Sequence, residues 1–567
     1  MSQMVHHLSE RAEAWFKSVT VSQAQQQTQS DRATALLSSL GLSLKNTTSH
    51  SPILVAALVG IVTFLTYLVF VPPRNLNGKN GVKVIGSWPF AGLGSREFFG
   101  NRYTFLSEHM TKDPRHPLQG LIKFNLTGKV VYTLGTTDVA VLKEVALHPD
   151  LSFSQGNNFL FAGIAGASQK GLIEGEMDKQ ERQEMKMLAA AISPQRLNSM
   201  RPALVQDAIN LLDDWVGGSS GQSSTVDLQK AYYPLIFRYT VRLMGMTEYA
   251  TDSASLKKLM NAFWATQLNS GFFTTVMPWL PQPRLIKRIV GAVTLWRMVK
   301  VTLDQRIKKQ ERFDDFAQIL IDQKQSTAYI SRFVIGGLMA GILNTIGTGA
   351  YTIAFVGASS SLQATCRSEL IAGLRAAAAA RGDDYDDLST AEKLDRVKLE
   401  EWEAGFPTLH ACFKETIRLL LTNSLNRYYP GPGRDSKGVL RDRLKIMGHE
   451  IEDDAYIIIP PSCNLHDADM FPEPWSFDPS RYQRGEGANE YTYLGWGCGR
   501  HKCTGMRFAK LETIIALSTV LLTFDIQTVD DKGKSYDLKS IPLPDLSQSH
   551  WRAPTRPMRL QVHRRKQ

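Results

Sequence analysis

The sequence predicts a mainly α protein with a small β-rich region, preceded by one transmembrane helix. Three observations predict this. Residues 180–313 carry apolar residues at helical spacing almost throughout, interrupted at Gly217–Ser224 and Pro278–Pro283. Ile53–Val71 is an uncharged apolar run, ILVAALVGIVTFLTYLVFV. Strand-like runs are short: Leu121–Leu134 alternates about Asn125–Gly128 as a β-hairpin, and Lys445–Met447 and Tyr456–Ile459 stand among turns.

In chain order, residues 1–51 form a polar segment rich in Ser, Gln and Thr, expected to be poorly ordered apart from a short helix near Ala33–Leu40. The segment lacks a charged start followed by an apolar core, so it is not a secretory signal. Residues 52–73 are the predicted anchor. Nineteen helical residues reach about 28 Å, close to the hydrocarbon thickness of a bilayer, and Pro72-Pro73 ends the helix. Arg74, Lys79 and Lys83 follow it, whereas Lys45 alone precedes it closely. The positive-inside rule therefore places the large C-terminal part in the cytosol. The Asn46 sequon would face the lumen and the Asn125 sequon the cytosol. Residues 74–100, rich in Gly, Pro and Asn, are the expected hinge, and 101–567 the main globular domain. Thr137–Leu147 reads as a helix and Ser154–Gly171 as a long loop. Met277–Pro281 reads as either a membrane-dipping or a packed turn.

Composition narrows the function. Hydrophobic content of 43 % with 21 % charged residues suits a globular chain with a sizeable core. The formal charge of +11 is scattered apart from His563–Lys566, which argues against a nucleic-acid stripe. It leaves an ordinary basic surface, or contact with an anionic membrane or acidic partner. The five cysteines form no Cys-x-x-Cys pair and no zinc spacing, which suits a reducing compartment.

The chemistry concentrates in Leu494–Glu512, LGWGCGRHKCTGMRFAKLE. Gly497, Gly499 and Gly505 let the backbone turn and approach a flat ligand, and helical spacing begins at about Thr504. A cysteine at a helix N-terminus is favoured as thiolate. A thiolate beside amide donors in an apolar setting is what an axial cysteine ligand of haem iron requires. Cys498 is followed by Arg500 where Cys503 is followed by Gly505, and no helix begins just after it.

This stretch resembles the haem-binding loop of the cytochrome P-450 superfamily, with Trp496 in place of the usual Phe, His501 at the basic position and Cys503 on the iron. Three further stretches support the resemblance. Ser331–Ser361 is a glycine-rich apolar helix candidate with Ala340-Gly341 where the family's distal helix passes the haem. Lys414–Arg418 contains Glu-x-x-Arg, and Phe477–Tyr482 supplies Arg481, implying a structural Glu415–Arg418–Arg481 triad. At the distal acid and Thr positions this sequence has Leu343 and Asn344, followed by Thr345. That departure, with Ser424–Arg427 lacking the usual proline, looks like the branch holding cholesterol 7-alpha-hydroxylase, sterol 12-alpha-hydroxylase and prostacyclin synthase.

The resemblance covers residues 80–560 and implies a prism-shaped, mainly helical fold. It implies haem b as cofactor, bound by Cys503, Trp496, Gly497, Gly505, Gly341, His501 and Arg500, with Asn344 and Thr345 in catalytic positions. Arg182 or Lys186 is either a propionate donor or a solvated helix residue. Arg500, Lys502, Arg507 and Lys510 form either a solvated face or a docking site for an acidic electron donor. The reading is an endoplasmic-reticulum monooxygenase, single-pass with a cytosolic catalytic domain. It acts on a lipophilic sterol, steroid or terpenoid with electrons from NADPH through a reductase, and implies no particular oligomer. Its rivals are a peroxide isomerase or dehydratase that needs no reductase, motivated by Asn344, and a non-enzymatic haem carrier or sensor.

Overall fold

The computed structural model describes residues 59–67, 76, 78–86, 94–111, 113–126, 128–158, 174–218, 220–267, 282–421, 423–435, 437–547 and 554–565. Contacts divide the chain into two units, one ending at Leu68 and the other running from Val69 to Gln567. In the first, residues 59–67 are helical, and Val59, Ile61, Phe64 and Tyr67 are each more than half exposed. The rest of the 52–73 segment, the 1–51 segment and Met277–Pro281 lie outside the described residues.

The second unit is mainly helical with three small sheets. Strand β1 (Lys83–Ile85) runs parallel to β2 (Gly120–Leu126), which forms a hairpin with β3 (Lys129–Gly135). Residues 83–85 therefore belong to a sheet of this unit, although they fall in the stretch assigned as a hinge. The sheet continues through β8 (Ala455–Ile459) to β5 (Leu425–Tyr429), in the order β1-β2-β3-β8-β5. A second sheet pairs β10 (Arg559–Arg564) with β4 (Ser223–Asp227) and β9 (Phe524–Val529). Strands β6 (Lys445–Ile446) and β7 (His449–Glu450) form a short third sheet.

Helix α1 (Val139–Leu147) starts where Asp138 accepts the backbone N–H groups of Ala140 and Val141. Helix α2 (Phe153–Asn158) replaces the first residues of the expected 154–171 loop, and residues 159–173 lie outside the described set. Helices α3 (Glu174–Ala191), α4 (Pro194–Trp215), α5 (Leu228–Leu243), α6 (Ser253–Gln267) and α7 (Pro283–Lys308) follow. Helix α8 (Thr327–Gly357) is capped by Ser326, whose side chain accepts from the Tyr329 amide. Among the described residues α8 alone is long and apolar enough to cross a membrane, but it is a core helix with its C-terminal half buried.

Helix α9 (Ser360–Ala379), α10 (Pro407–Leu420) and α11 (Met506–Thr523) complete the core around α8. The glycines of α8 have a packing reason. A Cβ on Gly337, Gly341 or Gly349 would meet Met244, Thr240 or Tyr232, all on α5 or at its C-terminal end. The helices approach where side chains are missing, which offsets the roughly 1 kcal/mol that each helical glycine costs against alanine.

Candidate functional site

Cys503 is the exposed thiol of this chain; Cys366, Cys412, Cys463 and Cys498 are buried. Its backbone N–H donates to Trp496 O at 2.7 Å, closing the loop that the left-handed Gly497 and Gly499 make possible. Two short 3-10 turns, Leu494–Trp496 and Gly499–His501, precede it, and α11 begins at Met506. Burial raises the Cys503 thiol's pKa, while the N–H groups of Gly505 and Met506 act on its sulfur to lower it. Those donors, at the positive end of α11, favour negative charge on Sγ. Cys498 lacks such donors and is pushed up to about 11 by burial.

The loop rests on α10. Trp496 meets Phe413 edge-on at 5.9 Å, and the Tyr493 hydroxyl donates to Lys414 O at 2.8 Å. Next to Lys414 on α10, Glu415 receives Arg418 through Nε and Nη2, each at 2.9 Å, and Arg481 Nε at 2.9 Å. The three side chains are at most 1 % exposed. Tyr482 also donates to this carboxylate at 2.8 Å, and Arg418 Nη1 donates to Leu465 O and Pro474 O. The carboxylate is thus fully engaged, as a buried ion pair requires.

Several proposed contacts are arranged differently from the expectation. His501 stacks on Phe153 at 4.8 Å, and its pKa is lowered to about 4, first by burial and then by Arg427 and Arg500. It is a neutral ring at neutral pH and not a cation. Arg500 donates to His148 O beyond α1. Lys502 pairs with Glu490 and Arg507 with Glu403, so two of the four basic residues weighed as a docking patch hold neighbouring acids. Lys186 is exposed on α3, and the side chain of Arg182 lies outside the described set. The cation that the sequence reading overlooked is Arg427, 4 % exposed, on β5 and 5.4 Å from the Phe153 ring. Its signal was in the sequence, in the quoted Ser424–Arg427 segment, but no spacing tied it to the loop at 494–505.

On α8 Arg332, Gly336, Ala340 and Asn344 are exposed at intervals of four, and the positions between them are half-buried or buried. They form one open stripe. Asn344 Nδ2 donates to Ala340 O at 2.8 Å, and Asn344 Oδ1 accepts from Asn423 Nδ2. Thr345 turns away from this stripe. It is buried, donates to Gly341 O at 2.9 Å and meets the carboxyl of Glu512 on α11. A catalytic hydroxyl at Thr345 is therefore not on the open stripe. Gly341 likewise makes room for Thr240, and Ala340 is the exposed residue beside it.

Segment 423–427 joins the two halves of the site. Asn423 reaches α8, Leu425 lies beside Gly497, and Arg427 neighbours His501. An open thiol with two N–H donors, an open helix stripe and a buried cation on the segment that links them suit a flat, thiolate-bound group with anionic edges. The residues present fit haem.

A family model for cytochrome P450 matches residues 121–549. Cytochrome P450 monooxygenase AacuE of Aspergillus aculeatus is 25 % identical over 505 residues, 84 % of this chain and 93 % of that protein. Cytochrome P450 monooxygenase nsrP of Aspergillus novofumigatus is 28 % identical over 352 residues, 60 % of this chain and 64 % of that protein. Human lanosterol 14-alpha demethylase is 22 % identical over 427 residues, 72 % of this chain and 75 % of that protein.

Proposed function

The chain belongs to the cytochrome P450 family and is a monooxygenase, and from that premise we propose that Cys503 holds the haem iron and that the substrate is a sterol, steroid or terpenoid. A haem iron with a thiolate ligand supplies dioxygen activation and insertion of one oxygen atom into an apolar substrate. The observation that carries the assignment is the exposed Cys503 thiol, with the Gly505 and Met506 N–H groups turned on its sulfur.

The chain's own residues then have these roles. Gly505 and Met506 hold charge on Sγ. Trp496 and Phe413 wall the loop. Arg427, beside the ring of His501 stacked on Phe153, would hold the carboxylates of the group. Asn344 presents an amide on the open stripe of α8; it can donate or accept a hydrogen bond but cannot relay a proton by titration. The Glu415–Arg418–Arg481 set fixes α10 behind the loop. Electrons come from NADPH through a flavin reductase. Residues 52–73 anchor the protein in the endoplasmic reticulum membrane with the catalytic unit cytosolic. The substrate class is supported by the Asn344-Thr345 pair and by the relative named lanosterol 14-alpha demethylase.

The reconstituted protein is tested with NADPH, a reductase and a panel of sterols and terpenoids. NADPH-dependent formation of an oxygenated product supports this reading. The amide at Asn344 and the buried hydroxyl of Thr345 favour the peroxide isomerase as a second reading. Turnover of a lipid peroxide without NADPH, and no NADPH-dependent product, would establish that second reading instead.

A further inference from the structure

The two amides at Asn344 and Asn423 fix each other's orientation. Ala340 O can only accept, so Asn344 must turn its NH2 group towards it. Asn344 Oδ1 then faces Asn423, which must in turn present its own NH2 group. With these two bonds made, each amide retains one N–H, and Asn423 Oδ1 has no protein partner among the described residues. Both side chains are exposed. The pair is anchored on α8 at one end. At the other it is carried by the segment whose Leu425 lies beside Gly497 of the thiolate loop. An acceptor and a donor are thus held side by side at fixed orientation, where the segment leading to the thiolate loop meets α8.

We infer that Asn423 is a specificity-determining residue that, with Asn344, receives a hydroxyl group of the substrate: the hydroxyl donates to Asn423 Oδ1 and accepts an amide N–H of the pair. The inference rests on the haem reading of Cys503 and adds to it a polar recognition point for an otherwise apolar molecule. A hydroxyl matches both a free acceptor and a free donor, whereas a ketone uses the donor alone and a hydrocarbon displaces the water there without replacing its bonds. One neutral hydrogen bond of this kind is worth about tenfold in affinity. Asn344 depends on the partner. Without Asn423, Asn344 Oδ1 loses the donor that holds it.

The test uses azoles that coordinate the iron and so place a reporter ring in the distal space. The full-length haem protein is titrated with 1-phenylimidazole and with its 2-, 3- and 4-hydroxyphenyl counterparts, reading the shift of the haem absorption band. At least one hydroxylated isomer is expected to bind about tenfold tighter than 1-phenylimidazole. That gain disappears in Asn423→Leu and in Asn423→Ala, neither of which offers a side-chain acceptor or donor, while the affinity for 1-phenylimidazole itself changes far less. A retained thiolate spectrum of the reduced carbon-monoxide complex shows that both variants are folded. The inference is overturned if no isomer gains affinity, or if the gain survives both substitutions. A wild-type protein that binds haem but gives no shift with any azole overturns the haem geometry itself, a result distinct from the loss of the hydroxyl preference.

Discussion

Cys498 and Cys503 lie five positions apart in one glycine-rich loop, and their donors differ. Burial raises both thiols, but Cys498 sits in the core around the five-stranded sheet, whereas two amide N–H groups act on Cys503 Sγ to lower it at an exposed residue. Cys503→Ala is expected to abolish the thiolate signature of the reduced carbon-monoxide complex and Cys498→Ala to keep it, as absorption spectra of the purified variants will show. Glu512 makes a second prediction at this scale. It is buried on α11, one carboxyl oxygen has no partner among the described residues, and burial holds its pKa well above the usual carboxylate range. The folded protein therefore keeps a proton that the unfolded chain releases above the ordinary glutamate pKa of about 4.3. Stability from this group is lost as pH rises through that range towards the raised value. Glu512→Gln removes the dependence, so its melting temperature should gain on the wild type as the pH rises above the ordinary glutamate range; a constant difference would refute the neutral acid. The sequence shows a glutamate nine residues after the cysteine, but only the packing of α11 against α8 reveals that it meets Thr345.

At the scale of the element, α8 is a helix whose composition argues against it until its neighbour is considered. Gly349 is filled by the Tyr232 ring, with an added Cβ only 2.4 Å from the hydroxyl, whereas Gly336 has nothing within 4 Å among the described residues. Gly336→Ala should stabilise the protein by up to about 1 kcal/mol through helix propensity. Gly349→Ala should destabilise it by about 1–3 kcal/mol because the overpacking exceeds the same gain. Urea unfolding of the two variants will show the opposite signs. The helix pattern was legible from its apolar run, but its start at Thr327, four residues before the expected Ser331, depends on the Ser326 cap. Helix α2 was not legible. Six residues containing Gly156 and two asparagines hold no helical pattern, and Gly156 is needed because a Cβ there would strike the Arg427 backbone on β5. Tertiary contact therefore outweighs local preference at α2.

For the whole molecule, the Glu415 centre joins α10 to the segment at 472–486 beneath the thiolate loop. Glu415→Ala leaves Arg418 and Arg481 buried without their carboxylate, which should cost about 3–5 kcal/mol. Glu403→Ala removes the partner of a half-exposed Arg507 and should cost less than about 1 kcal/mol. Thermal unfolding, read with the fraction of protein that retains haem, should separate the two clearly. The sequence by itself determined the chemistry available: a cysteine at a helix mouth, a glycine-rich apolar helix, and a Glu-x-x-Arg with a later arginine, because these are local patterns or fixed residue types. Only the tertiary structure decided which groups face the open space. Thr345 turns to Glu512, Asn344 locks with Asn423 across 79 positions, and Arg427 comes beside His501. The reason is physical: a helix presents a new direction every 100° or so, and which direction is open depends on neighbours far away in the chain.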